Sequence, residues 1–191
     1  MRRILDRLYT WSGYAGAGFI AAICALVFAQ VILNAIDRIT KILTGSAIGL
    51  TIPSYSDFTG FFLAAASFFA LAYSLRQGAH IRVTLVIQHT SGWLRQAIEI
   101  ICVSLALSVS AYFFWFTALL TYESYSYNDL SPGIIAVPIW IPQFSMVLGL
   151  LVLTIALLDD LIILLRGGKP SYFDKGENLL SSKPSHEWEL K

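Results

Sequence analysis

The sequence predicts an all-α integral membrane protein with four transmembrane helices. Four apolar runs without a charged residue fill most of the 191 residues, and each meets or approaches the roughly 20 residues that a helix needs to cross the hydrocarbon of a bilayer. The composition agrees, since 57% of the residues are hydrophobic and 13% are charged, about half the charged fraction of a soluble domain. The runs cover residues 8–36, 58–75, 100–122 and 130–158.

The first span is expected at about residues 14–36. Before it, residues 1–12 place apolar side chains at helical spacing around Arg3 and Arg7, a pattern typical of an amphipathic helix at the membrane surface. A cleaved signal peptide is the alternative interpretation. We favour an uncleaved helix, because the uncharged run is far longer than the roughly 7–15 residues of a signal-peptide core.

The second span is expected at residues 57–76, after an outer connection of about 20 residues. Asp57 opens this span, and a carboxylate stabilises the N-terminus of a helix, so capping explains this residue adequately. A polar stretch follows the span. We expect it to form a short interfacial helix before the third span, because an open strand edge at the membrane would leave backbone groups unpaired.

The third and fourth spans are expected at residues 97–122 and 142–165, which completes a membrane domain over residues 13–166. Tyrosines cluster where the third span ends, and this is the aromatic belt typical of a membrane interface. Trp140 is expected to anchor the following connection at that interface. Residues 167–191 are polar and are expected to form a cytoplasmic tail.

The distribution of positive charge predicts that both termini lie in the cytoplasm. With both ends and the middle connection inside, eleven lysines and arginines lie inside the membrane barrier and two lie outside, as the positive-inside rule requires. The net charge of only +1 argues against a nucleic-acid-binding surface.

Asp159 and Asp160 are the ionisable residues that come nearest to a position inside the membrane. They precede Arg166 by six or seven residues, about 10 Å along a helix, so they can reach the headgroups or meet a cation such as Arg82 or Arg95. A structural or pairing role is favoured over a proton relay.

Enzymatic chemistry is not expected. The three histidines lie outside the spans, which argues against a haem site, and the sequence has no nucleotide-binding loop, nucleophile constellation or metal-ligand spacing. We therefore expect no cofactor and no metal ion.

Two classes of function stay open on this reasoning. A hydrophobic chain without a central polar site suits a partner of another membrane protein, whereas a self-sufficient small carrier or exporter needs a carboxylate deep in the membrane. Asp57 and Glu99 lie at the ends of spans, so the first class is favoured.

Two motifs point to a known family. After the second span the chain has an arginine and then a Gly-x-His-Ile-Arg-Val sequence, formed by Arg76, Gly78, His80, Ile81, Arg82 and Val83. A second motif occupies residues 131–142 and is followed by Gly149. Both resemble the small membrane subunit (Q component) of tripartite ATP-independent periplasmic (TRAP) transporters. The resemblance covers nearly all of residues 10–166, but the outer connection is longer than usual and the entry to the second span lacks the family's Trp-x-Glu-like sequence.

The resemblance implies a mechanical role in the bacterial inner membrane. The small subunit would widen the immobile scaffold of a large, elevator-type membrane subunit that takes up an organic anion, commonly a carboxylate, together with sodium ions. A periplasmic binding protein would deliver that anion. The implied partners are therefore the large subunit, the binding protein and membrane lipids.

The resemblance also suggests residues for the contact with a partner or with lipid. Arg76, His80 and Arg82 would position the inner connection against lipid phosphates or the large subunit, although a topology signal explains each arginine equally well. Gly78 would supply a tight turn. The remaining candidates for the interface are Asp57, Trp140, Asp159 and Asp160.

Overall fold

The computed structural model describes residues 2–77 and 93–167, and four α-helices make up the architecture of this part of the chain. Each helix is long and apolar enough to cross a membrane, which confirms the predicted all-α class with four spans. An isolated β-bridge joins Leu130 and Pro138 in the connection between the last two helices. The helices are α1 (Arg2–Thr44), α2 (Tyr55–Arg76), α3 (Trp93–Tyr127) and α4 (Trp140–Leu165).

The prediction of a separate surface helix at residues 1–12 is wrong. Arg2–Thr44 is one continuous helix of 43 residues, so the amphipathic start and the first span belong to the same element. Glycines within it do not interrupt it. Gly13 and Gly16 face α2, where a Cβ on either would press into a side chain or into the backbone, so helix packing holds them in helical geometry.

Two other predicted segments lie outside the described residues. The short interfacial helix is expected between the second and third spans, where residues 78–92 are not described, and all of the expected tail at residues 167–191 except Gly167 is likewise not described. Both stay predictions.

The four helices form a layer rather than a closed bundle. α1 packs along α2, α2 packs against α4, and α4 packs along α3, whereas α1 meets α4 over a few residues only. The order across the layer is therefore α1, α2, α4, α3. In the most apolar 18-residue stretch of each helix, 39% of the residues are buried in α4 but only 6% in α1. The rest of the described chain therefore leaves the edge helix α1 largely uncovered.

Small and hydroxyl residues hold neighbouring helices close together. A Cβ on Gly149 of α4 would lie 2.6 Å from the backbone carbonyl of Phe68, so the two middle helices approach with no room for a side chain. The Ser12 hydroxyl donates a hydrogen bond to the carbonyl of Phe69 at 2.6 Å, and the hydroxyls of Ser110 and Thr154 join α3 to α4 at 2.9 Å. The buried core consists of Tyr9, Ala72, Leu75, Val152, Ala156 and Leu157.

α1 is about twice as long as the helix with which it pairs. At about 1.5 Å per residue, the 43 residues of α1 extend over about 65 Å, while the 22 residues of α2 extend over about 33 Å. The chain before α2 meets α1 at Gln30, whose side chain accepts a hydrogen bond from the amide of Ile52 at 2.8 Å. α1 therefore continues well past the end of the layer.

Candidate functional site

Charged residues from three helices meet at one end of the layer, termed here the Arg76 end. Arg76 is the last residue of α2, and its guanidinium donates from Nη1 to Asp6 of α1 at 2.6 Å and from Nη2 to Asp159 of α4 at 3.0 Å. The Arg76 side chain is 15% exposed, and that of Asp159 is 21% exposed. One guanidinium thus links three helices. Its pair with Asp159 is partly buried and so is stronger than a pair at an open surface, whereas the Asp6 side chain is 51% exposed.

Tyr9 supports the same guanidinium from one side. The guanidinium carbon of Arg76 lies 4.4 Å from the centroid of the Tyr9 ring, a cation–π arrangement, and Tyr9 is only 1% exposed. Tyr9 follows Asp6 by three residues, so the two side chains share a face of α1 and reach the same partner. These contacts fix the start of α1, the end of α2 and the last turns of α4 at the same height along the helix axes.

The structure gives Asp159 a cation partner other than the ones that the sequence suggests. That partner is Arg76, whereas Arg82 and the side chain of Arg95, the partners expected from the sequence, lie outside the part that the structure describes. The family resemblance suggests that Arg76 contacts lipid phosphates or the large subunit. In the structure, two carboxylates of the same chain, Asp6 and Asp159, bind its guanidinium. The next residue, Asp160, is buried at 1% exposure.

Sequence reasoning missed Asp6 and Tyr9 as members of this network. It did so because it separated residues 1–12 from the first span, whereas both residues lie on the continuous helix α1. The signal available in the sequence was the i, i+3 spacing of Asp6 and Tyr9, which places the two residues on one face of a helix. Gly78, His80 and Arg82 lie outside the described residues, so the roles suggested for them stay predictions.

The opposite end of the layer is formed by the connection between α3 and α4, and is termed here the Gly133 end. This connection folds into a hairpin in which the Ser131 amide donates to the carbonyl of Val137 at 2.8 Å and the Ile139 amide donates to the carbonyl of Asp129 at 3.0 Å. The Ser131 hydroxyl accepts a further bond from the amide of Val137 at 3.1 Å. The second sequence motif therefore builds a compact, internally bonded hairpin.

This hairpin docks on the start of α2. The hydroxyl of Ser54, the residue before α2, accepts a hydrogen bond from the amide of Ile135 at 2.9 Å. The backbone of Gly133 lies so close to Asp57 that a Cβ at residue 133 would overlap a carboxylate oxygen. Asp57 is the third residue of α2, where its charge suits the helix dipole, but it also forms the surface on which the hairpin rests.

Trp140 begins α4 beside this hairpin. Its ring packs edge to face against Tyr125 of α3, with ring centroids 5.6 Å apart. The aromatic pair fixes the two ends of the connection against each other, in a geometry that aromatic rings favour.

The chemistry shown by the described residues is hydrogen bonding at both ends and charge pairing at the Arg76 end. Among the described residues, no group of three or more His, Cys, Asp or Glu side chains could hold a metal ion. The polar groups at each end bind one another across helices. Such an arrangement suits a structural role, in which the helices keep fixed positions relative to one another.

Two serines should hold the hairpin in place. We expect Ser54→Ala to raise hydrogen exchange at the amide of Ile135, and Ser131→Ala to raise it at Val137, each by roughly fivefold, because each change removes an acceptor worth about 1 kcal/mol. The control is Ser126→Ala, since the exposed Ser126 hydroxyl bonds only within its own helix, to the carbonyl of Tyr122. Exchange that stays unchanged at Ile135 and Val137 in their respective variants would show that the hairpin is held by other contacts.

The family model described as "Tripartite ATP-independent periplasmic transporters, DctQ component" matches residues 23–167. No curated protein and no solved structure matches the chain. The matched region includes the Gly133 end, Gly149, Arg76 and Asp159 but not Asp6 or Tyr9, and it covers well over half of the sequence. The chain therefore belongs to the DctQ family, the small membrane component of TRAP transporters.

Proposed function

We propose that this subunit is the scaffold partner of the large, elevator-type membrane subunit of its transporter. In this proposal the large subunit moves an organic anion, a carboxylate, together with sodium ions, and a periplasmic binding protein delivers the anion. The observation that carries the proposal is the layer of four helices in the order α1, α2, α4, α3. A layer one helix thick has two broad faces, and it can lie along the side of a larger membrane protein.

The contacts between the helices support a rigid role. The Arg76 network joins the ends of α1, α2 and α4, and Gly149 brings α2 and α4 to backbone contact. The hairpin docks on α2 at the other end. A moving domain needs a part that stays fixed, and short contacts at both ends and in the middle of the layer oppose sliding of one helix past another.

The exposed side chains support a partner within the membrane. The described part of the chain leaves large apolar residues on α1 and α3 uncovered, with Phe28 at 67% and Trp115 at 61% exposure. In a bilayer such side chains face lipid or another membrane protein, and close packing between membrane proteins depends on shape rather than on a hydrophobic driving force. The long edge helices therefore offer surface for the large subunit.

For orientation, we propose that the protein lies in the bacterial inner membrane with the Arg76 end in the cytoplasm and the Gly133 end in the periplasm. The excess of lysine and arginine at the N-terminus, middle connection and tail supports this orientation. The hairpin would then face the compartment that holds the binding protein.

Reconstitution into proteoliposomes tests the proposal. The large subunit is reconstituted with and without this chain, in the presence of its binding protein, and uptake of carboxylates that stabilise the binding protein is measured under a sodium gradient. We expect sodium-dependent uptake only when both membrane subunits are present. Equal uptake by the large subunit alone would contradict the scaffold role, and uptake by this chain alone would identify a self-sufficient carrier.

A further inference from the structure

Three parts of the protein meet at Ser54. It is the last residue of the connection between α1 and α2, named here the α1–α2 connection and defined as residues 45–54. Its carbonyl accepts hydrogen bonds from the amides of Asp57 and Phe58 in the first turn of α2, at 3.0 and 3.2 Å. Its hydroxyl accepts the hydrogen bond from Ile135 of the hairpin. A change at Ser54 therefore reaches the connection, the helix and the hairpin together.

The backbone of Ser54 has an unfavourable conformation. Its φ is 56° and its ψ is 24°, in the left-handed region, where the Cβ of an L-residue crowds the backbone. Among the described residues, the other non-glycine residue with a positive φ is Asn128, and asparagine is one of the side chains that tolerate this region. Such a conformation persists only where surrounding contacts impose it. Ser54 is therefore held in place by its neighbours.

The hairpin supplies those contacts on one side. The amide of Ile135 donates to the Ser54 hydroxyl at 2.9 Å, and a Cβ on Gly133 would lie 2.9 Å from the same oxygen, so the hairpin backbone lies directly against the serine. Ser54 is 8% exposed in this position. Without the docked hairpin, the left-handed conformation would lose this support.

α1 fixes the chain just before Ser54. The amide of Ile52 donates to Oε1 of Gln30 at 2.8 Å, and Nε2 of Gln30, which is 4% exposed, donates to the hydroxyl of Thr51 at 2.9 Å. Only Pro53, whose ring fixes its φ, separates Ile52 from Ser54. A change in φ or ψ at Ser54 therefore swings Ile52 relative to α2 and breaks its bond to Gln30.

We infer that Ser54 is a conformational coupling between the hairpin and the α1–α2 connection. While the hairpin is docked, Ser54 keeps its left-handed backbone and Ile52 stays on Gln30. When the hairpin lifts, Ser54 relaxes to a negative φ and the α1–α2 connection leaves α1. Coupling between two sites is reciprocal, so release of the connection also loosens the hairpin. The coupling belongs to this chain alone, and it lets a contact made at the hairpin change the connection that follows α1.

Hydrogen exchange of the full-length chain in mild detergent measures this coupling. Ile52 in the α1–α2 connection and Ile135 in the hairpin are both isoleucines, so NMR spectra of protein with isotopically labelled isoleucine report on both amides at once. Ile155, in the middle of α4, should keep its wild-type exchange rate in every variant, which shows that the fold is intact.

A matched pair of substitutions at residue 54 separates backbone strain from the lost hydroxyl. Ser54→Ala and Ser54→Gly both remove the acceptor for Ile135, but only alanine keeps a Cβ that opposes the left-handed backbone. Both should raise exchange at Ile135. At Ile52 we expect a rise of about fivefold in Ser54→Ala but a rate within about twofold of the wild type in Ser54→Gly. A rate at Ile52 that is equal in the two variants, or higher with glycine, would overturn the coupling.

Gly133→Ala tests the coupling from the hairpin side. A Cβ at residue 133 would overlap the carboxylate of Asp57, so the hairpin cannot dock closely. We expect exchange at Ile52 to rise by about fivefold or more, although Ile52 itself is unchanged. Ile134→Ala is the control, since Ile134 is the next residue of the hairpin, is 87% exposed, and should leave the rate at Ile52 unchanged.

A double variant completes the test. In Gly133→Ala combined with Ser54→Gly, exchange at Ile52 should return to within about twofold of the wild type, because glycine keeps the left-handed backbone without help from the hairpin. An unchanged rate at Ile52 in Gly133→Ala would show that the two connections move independently. A raised rate that Ser54→Gly does not lower would show that Ser54 does not couple them.

Discussion

Gly149→Leu should separate α2 from α4 and destabilise the protein by about 3 kcal/mol or more, at the upper end of the effect of overpacking a core. The cause is that a Cβ at residue 149 would lie 2.6 Å from backbone atoms of Phe68, and a helix backbone cannot move aside as a side chain can. Since α2 packs against α4 in the middle of the layer, the change would weaken the contact that joins the α1–α2 pair to the α3–α4 pair. The measurement is unfolding by SDS titration of the purified protein in mild detergent, followed by circular dichroism.

Two other glycines provide matched controls. A Cβ on Gly18 of α1 or on Gly60 of α2 would meet nothing within 4 Å, so Gly18→Leu and Gly60→Leu add a side chain without a clash. We expect both to lie within about 0.5 kcal/mol of the wild type, as surface changes usually do. A Gly149→Leu protein as stable as these controls would contradict the close α2–α4 packing.

Arg76→Met should destabilise the protein by about 2–3 kcal/mol, somewhat less than the loss of one partner from a fully buried ion pair. The change removes the guanidinium that links three helices and leaves Asp159, 21% exposed, without that partner. Methionine keeps much of the apolar stem of the side chain but removes the guanidinium that lies over Tyr9, so the effect reports chiefly on charge. Unfolding in SDS is again the measurement.

A double-mutant cycle separates pairing from packing. Adding Asp159→Asn to Arg76→Met should restore part of the lost stability, because the uncompensated carboxylate is gone. Arg7→Met is the control, since Arg7 is exposed and forms no ion pair with any residue that the structure describes. If Asp159→Asn lowers stability equally in the presence and absence of Arg76, the two residues are not coupled.

The sequence predicts the helices of this protein well because their formation depends on local properties. Apolar runs long enough to cross a bilayer, broken by charge, glycine and proline, indicate the four helices directly. The residues before α1's apolar run show the limit of the same reasoning. Residues 1–12 have an amphipathic pattern, but a pattern does not tell whether the helix continues into the span, and here it does.

Contacts between helices were largely out of reach of sequence reasoning. That Arg76 meets both Asp6 and Asp159 depends on the levels at which three helices end, and single-chain periodicity does not contain this information. Likewise, the close approach of Gly133 to Asp57, which leaves no room for a Cβ, joins residues far apart in the chain. The resemblance to the family identified Gly149 and the hairpin motif as notable, and the structure supplies the physical reason, which is close approach to α2 in both cases.

The central claim is that this chain works as a subunit of a larger membrane complex, and purification from its own membrane tests it most directly. The chain carries an affinity tag, the membranes are dissolved in mild detergent, and the purified material is identified and quantified by mass spectrometry. The account predicts one large multi-span membrane protein at a stoichiometric ratio to the tagged chain. A pure homo-oligomer with no such partner would contradict it.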